Sequence, residues 1–353
     1  MQNNSNSGNN NKNGSKLMTP KERVFNRLKG EDVDKIPNLN IVMTFAANFI
    51  KVPYKKYVTD YRYLVEGNIA CCEKFGIDMV SAISDPYREA QGFGANIIFP
   101  DDDVPKCTDF FIKDYPDIKR LNVTSAINSE RANDRIEAIK LYKKEVGQNY
   151  PILGWVEGAF AESADLMGVS KMMIDIYDKP DFIKDLLEIC TRQAILFSEE
   201  QINAGADFIG IGDAVASLVG PSVYKDFVLP YEQRIINAIH DIGAKAKLHI
   251  CGNISSILDL LPLTGADMVD IDWMVNFKTA NEVFKEKCCA CGNFDPVRVM
   301  LQGDAEDIKR AVISCVNEGN STTFIAAGCE VPKMTPVENM IKVDLSLKGM
   351  GCK

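Results

Sequence analysis

Histidine and tryptophan are nearly missing from this chain: two of each among 353 residues. No lysine/arginine block stands out and the net charge is −9, which argues against nucleic acid and anionic lipid as partners. No apolar run reaches the ~18–20 residues of a membrane span, and the opening residues do not read as a secretory signal. A disulfide framework is also unsupported, because the eleven cysteines are odd in number and several sit inside apolar, strand-like runs. They read as reduced thiols, and the expected compartment is the cytoplasm. What the chain does have is apolar mass, 46% of its residues, enough for one large core or two ordinary ones.

Residues 1–17 open as a Asn/Ser/Gly-rich stretch with the character of a disordered tail, leaving 18–353 as a single domain. Thr19-Pro20-Lys21-Glu22 then carries the signature of a capped helix: Thr19 as N-cap, Pro20 at the first helical position and Glu22 three residues after the cap. Eight candidate strands follow, at 37–43, 77–83, 152–157, 207–212, 245–251, 268–272, 288–292 and 323–328. Helical periodicity fills gaps at 179–203, 222–242 and 305–318, and the insertion at 92–119 reads as a hairpin and a loop. Alternation of strand and helix over eight units predicts an α/β fold, a (β/α)₈ TIM barrel with an N-terminal helical extension; a doubly wound open sheet is the second reading.

In a barrel, chemistry gathers at the C-terminal strand ends. Those ends carry Asp85, Glu157, Asp213, His249 with Cys251, Asp272 with Trp273, Cys291 and Cys329. If the strand runs through Cys251, residues 249 and 251 point to one face, and imidazole and thiol are ligand types that zinc prefers. Cys329, after another apolar run, supplies a third soft donor, with Cys291 as its alternative. Three donors and an open fourth position describe a catalytic zinc site. A lone His-x-Cys pair equally fits a buried thiol beside a hydrogen-bonded core histidine. Asp85, Asp213 and Asp272 equally fit helix caps.

The chain resembles the uroporphyrinogen decarboxylase superfamily and, within it, the zinc- and corrinoid-dependent methyltransferases. Its carriers are Thr19–Arg23, Phe75–Asp78, Ser84–Ala90, Leu248–Asn253, Gly292–Pro296, Gly328–Pro332 and Thr335–Asn339. The resemblance implies a (β/α)₈ barrel, zinc on His249, Cys251 and Cys329, and a cobalamin carried by a partner corrinoid protein. The decarboxylase holds its carboxylate-rich substrate with an arginine-rich segment after the first strand. Here that stretch reads Met43-Thr44-Phe45-Ala46-Ala47-Asn48-Phe49-Ile50, without an arginine. Decarboxylation therefore ranks last.

Two methyl transfers remain: from a small methylated substrate, a methoxylated aromatic in the first instance, to cob(I)alamin, or from methylcobalamin to a thiol of the coenzyme M type. The first is the leading expectation, from the likeness of Ser84–Ala90, 157–162 and 212–214 to the ether-cleaving branch. Under it Phe160 and Trp273 would face an aromatic ring, and Glu157 or Asp213 would hold ring substituents or fill the fourth metal position. Asp85 aligns with the decarboxylase's catalytic acid.

Overall fold

In the computed structural model, residues 17–348 and 350 are described; the expected tail lies, but for Leu17, outside them. Seven short runs dominated by apolar residues form one parallel sheet. In chain order the strands are β1 (Val80–Ser81), β2 (Asn96–Ile98), β3 (Lys106–Asp109), β4 (Ile152–Glu157), β5 (Phe208–Gly212), β6 (Lys245–His249), β7 (Met268–Ile271), β8 (Cys289–Phe294) and β9 (Phe324–Ala327). The main sheet runs β1-β4-β5-β6-β7-β8-β9, and β2 pairs antiparallel with β3 as the expected hairpin. Helices such as Pro180–Ala204 and Ala305–Glu318 return the chain between parallel strands.

The sheet curls until one stretch, 37–41, touches both of its edges. Leu39 N–H donates to Ile325 O (2.9 Å) on β9, and Asp78 N–H donates to Asn38 O (2.8 Å) just before β1. The expected strand at 37–43 is thus reduced to isolated bridging. Pro37 has no N–H to give, and side chains replace ladder bonds: Asn38 N–H goes to Asp78 Oδ2 (2.8 Å) and Asn40 Oδ1 accepts Ala327 N–H (2.8 Å). The strand expected at 77–83 is likewise only Val80–Ser81. A helix expected at 222–242 is two, Pro221–Phe227 and Leu229–Asp241, because Pro230 cannot continue a helix from the preceding turn. The N-terminal helix Pro20–Leu28 carries its capping box on Thr19 and Glu22.

Strand alternation sorts side chains into two layers. Leu153, Trp155, Phe208, Met268, Cys289, Cys291 and Phe324 pack together inside the curled sheet, while Val156, Ile209, Ile211, Leu248, Val269 and Ile325 pack outward against helices. On β5 the inner positions are Gly210 and Gly212, and a side chain at either would run into Trp155. Their bareness lets the Trp155 indole lie across β5 toward β6, its ring 5.9 Å from that of His249.

Candidate metal centre

His249 is the last residue of β6, so Cys251 lies beyond the strand rather than on it. The expected alternation therefore does not place the thiol; a turn does. Gly252 adopts φ +96°, a left-handed conformation that suits glycine, and its N–H donates to Asp272 Oδ2 (2.9 Å). The loop after β9 is pinned on two sides: Gly328 N–H donates to Phe294 O (2.9 Å), and Glu330 accepts Thr44 N–H (2.7 Å). A Cβ at 328 would strike the backbone of Asp272 and Trp273, so glycine allows the loops after β7 and β9 to touch. These anchors bring His249, Cys251 and Cys329 together, one donor atom from each within 4.8 Å of the others. Cys329 Sγ lies 4.0 Å from His249 Nε2.

The electrostatics match. His249 Nδ1 sits 2.8 Å from Asp270 Oδ2, in register on β7, and a carboxylate can only accept, so Nδ1–H donates to it and Nε2 is the nitrogen that faces the thiols. Buried Lys247 forms an ion pair with the same Asp270 oxygen. Burial would raise Asp270, but the Lys247 charge and then His249 hold it well below the usual carboxylate range. Burial alone would lower His249; its hydrogen bonds to Asp270 and Cys329 outweigh that and push it up to about 9. The hydrogen bond between the two sulfurs holds Cys251 below an ordinary thiol and pushes Cys329 up.

Three soft donors converging on one point, one of them oriented by a carboxylate, are the donor types of a zinc site. Cys291 stays outside the group, on β8 opposite Asp270 and buried, its thiol pushed up by burial and then by the Asp270 charge.

The other expected site residues scatter. Glu157 ends β4 on the inner face, level with Gly212 and His249, and its Oε1 accepts the Trp155 Nε1–H (2.9 Å). Burial, then the Glu89 charge, raise its proton affinity well above that of an ordinary glutamate. Asp213 caps a helix, but the preceding one, Ala159–Met167: its Oδ1 accepts Ala161 N–H (2.8 Å), and burial pushes it up to about 7. Asp85 is buried in an ion cluster, paired with Arg131 and bonded to Ser84. Burial would raise it, but Arg131 and then Arg88 hold it well below the carboxylate range. Phe160 is fully buried in the layer between strands and helices, so it offers no open ring face. Trp273 stands at the rim beside Gly328, 47% exposed. Sequence reasoning passed over Lys247 and Asp270. The signal was available: a lysine and an aspartate inside otherwise apolar strands must be paired.

A model of the uroporphyrinogen decarboxylase family (URO-D) matches residues 19–343. The chain belongs to this family. Among relatives of this chain, the methylcobamide:CoM methyltransferase MtbA of Methanosarcina acetivorans is 27% identical over 331 residues, covering 92% of this chain and 96% of that one. MtaA of Methanosarcina barkeri, of the same name, is 26% identical over 91% of this chain and 95% of its own. A uroporphyrinogen decarboxylase of Carboxydothermus hydrogenoformans is 24% identical over 78% of this chain and 79% of its own. Among solved structures, a methyltransferase from Methanosarcina mazei superposes with a TM-score of 0.85 at 25% identity, covering 93% of this chain and 98% of that one. No described helix is long and apolar enough to cross a membrane.

Proposed function

We propose that this family member is a zinc-dependent methyltransferase acting with a corrinoid protein, in a (β/α)₈ barrel whose eighth stave is the stretch 37–41. His249, Cys251 and Cys329 are its metal ligands. The observation that carries this is their convergence at the C-terminal ends of β6 and β9. Zinc held there would keep a substrate thiol as its nucleophilic thiolate at neutral pH, or act as a Lewis acid toward an ether oxygen.

The direction favoured is from methylcobalamin to a thiol. The two relatives matched over 95–96% of their length carry methylcobamide:CoM names, and a soft N/S₂ donor set suits a sulfur substrate. Asp270 orients His249 and keeps its Nε2 free for the metal, while Asp272 and Gly328 hold the two cysteine loops in place. Glu157 and Trp155 wall the side facing β4. Trp273 belongs to the surface a corrinoid protein meets.

The reverse transfer, from a methoxylated aromatic to cob(I)alamin, is the second reading. Exposed Trp273 favours it, and burial of Phe160 removes one of its two ring contacts. The two are separated by anaerobic assay of methylcobalamin with thiols against cob(I)alamin with methoxyarenes, with metal analysis of the same protein. About one zinc per chain is expected. Methyl transfer by zinc-free protein would refute the proposal; turnover of uroporphyrinogen would restore decarboxylation.

A further inference from the structure

One helix of this chain is apolar on both of its sides. Val169–Asp178, which follows the helix Ala159–Met167, buries Met172 and Ile176 against the core. Its other side carries Val169, Met173 and Tyr177 at four-residue spacing, with Ile174 beside them. Ile174 is 60% and Tyr177 76% exposed. A surface helix keeps its apolar residues in one stripe facing the core, so one that is apolar on both sides belongs between two surfaces.

The stretch 110–115 runs alongside this helix. The Phe110 ring abuts Gly168, where an added Cβ would meet it at 2.9 Å, and Ile112 N–H donates to Leu166 O (2.9 Å). Further along, Asp114 pairs with Lys179 (3.2 Å), and the Tyr115 ring lies 5.5 Å from that of Phe182. Between the two banks lies a groove of about 630 Å³, its apolar lining drawn from Phe110, Ile112, Met167 and Val169. Phe110 is 40%, Tyr115 46% and Val169 39% exposed. The three lysines along the groove are each paired with an aspartate: Lys113 with Asp109 (3.0 Å), Lys171 with Asp175 and Lys179 with Asp114. None of the three is left for a polyanion or an anionic bilayer.

We infer that this face is covered by a second copy of the chain. It offers both halves of one contact: the projecting side chains of Ile174 and Tyr177, and a groove at Val169, about 12 Å away along the helix axis. A twofold axis passing near Met173 sets the two helices antiparallel and seats Tyr177 of each copy in the groove of the other, so a single patch complements itself. The area agrees. At about 150–250 Å² for a fully buried aromatic side chain, the exposed parts of Phe110, Tyr115 and Tyr177 alone come to on the order of 300 Å². Ile174 and Val169 add to that. A standard interface takes about 800 Å² from each partner, somewhat more than half of it apolar, and the patch supplies most of that share.

Sedimentation equilibrium of the full chain is the test. A mass of two chains is expected at about 10 µM, within the affinity range of interfaces this size. Tyr177→Asp and Ile174→Asp should each raise the dimer dissociation constant about tenfold or more, as for an anchor at the centre of an interface. Leu263→Asp, at an exposed apolar side chain outside the patch, should leave it unchanged. Tyr177 and Ile174 both face solvent in the single chain, so circular dichroism and zinc content of the two variants should match the parent. A chain that stays monomeric to about 100 µM, or a dimer indifferent to both patch variants, overturns the inference. So does a monomer that cosediments with phosphatidylcholine vesicles and loses them in Tyr177→Asp, which would give the face to lipid. None of these residues is a proposed metal ligand, so each such result leaves the zinc reading intact.

Discussion

The two halves of the curled sheet's C-terminal rim are built on opposite principles, divided by the Trp155 indole. On the β6–β9 side nearly every polar group is spoken for: Asp270 by Lys247 and His249, Asp272 by the N–H groups of Gly252 and Met274, Glu330 by Thr44. On the β1–β5 side, Glu89, Glu162, Asp165, Asp213 and Arg88 keep buried atoms without partners. A satisfied network fixes ligands for one small ion before it arrives, whereas an unsatisfied one is completed by what binds there. Under the proposed function, the β6–β9 side is the one prepared for a metal.

The contrast breaks first at the ligands. Cys251→Ala and Cys329→Ala should each take zinc, measured by elemental analysis, from about one per chain to near zero, whereas Cys289→Ala and Cys291→Ala should retain it. Loss in Cys291→Ala with retention in Cys329→Ala would move the third ligand to β8. Next, Asp270→Asn should weaken zinc, titrated against a chelator, by about 10–100-fold through loss of the His249 orientation; an unchanged affinity would make the Lys247–Asp270–His249 chain merely structural.

Gly328→Ala comes third. Its methyl would strike the Asp272–Trp273 backbone, and chemical denaturation should show a loss of about 1–3 kcal/mol, as for an overpacked site. The last prediction concerns the acid side. Asp213 binds its proton more tightly folded than unfolded, so the protein should lose stability as pH rises from about 3.8 to about 7 and then level off. Asp213→Asn, which keeps the acceptor for Ala161, should flatten that slope; urea midpoints at pH 5 and 8 decide it.

Much of the curled sheet was legible because its strands are buried on both faces and read as apolar runs: 152–157 matches its strand to the residue, as the helical periodicity of 305–318 matches its helix. The stretch 37–43 was over-read, since its ladder is largely replaced by asparagine side chains, which no periodicity reveals. At the site, residue types pointed to His249, Cys251 and Cys329, but the geometry invoked for Cys251 was a strand where the structure has a glycine turn. Glu89, Glu162 and Asp165 went unseen because an acid on a helix ordinarily faces solvent. Only the packing of three strand ends against two short helices shows these buried.

The central claim is a zinc ion with a coordination position left for a substrate sulfur. Zinc-edge X-ray absorption on the purified protein, before and after cysteamine, tests it most directly. The expected shell is two sulfurs, one nitrogen and one light atom, with the light atom replaced by a third sulfur on addition. A shell that is already closed, or one that does not change with thiol, would contradict the account.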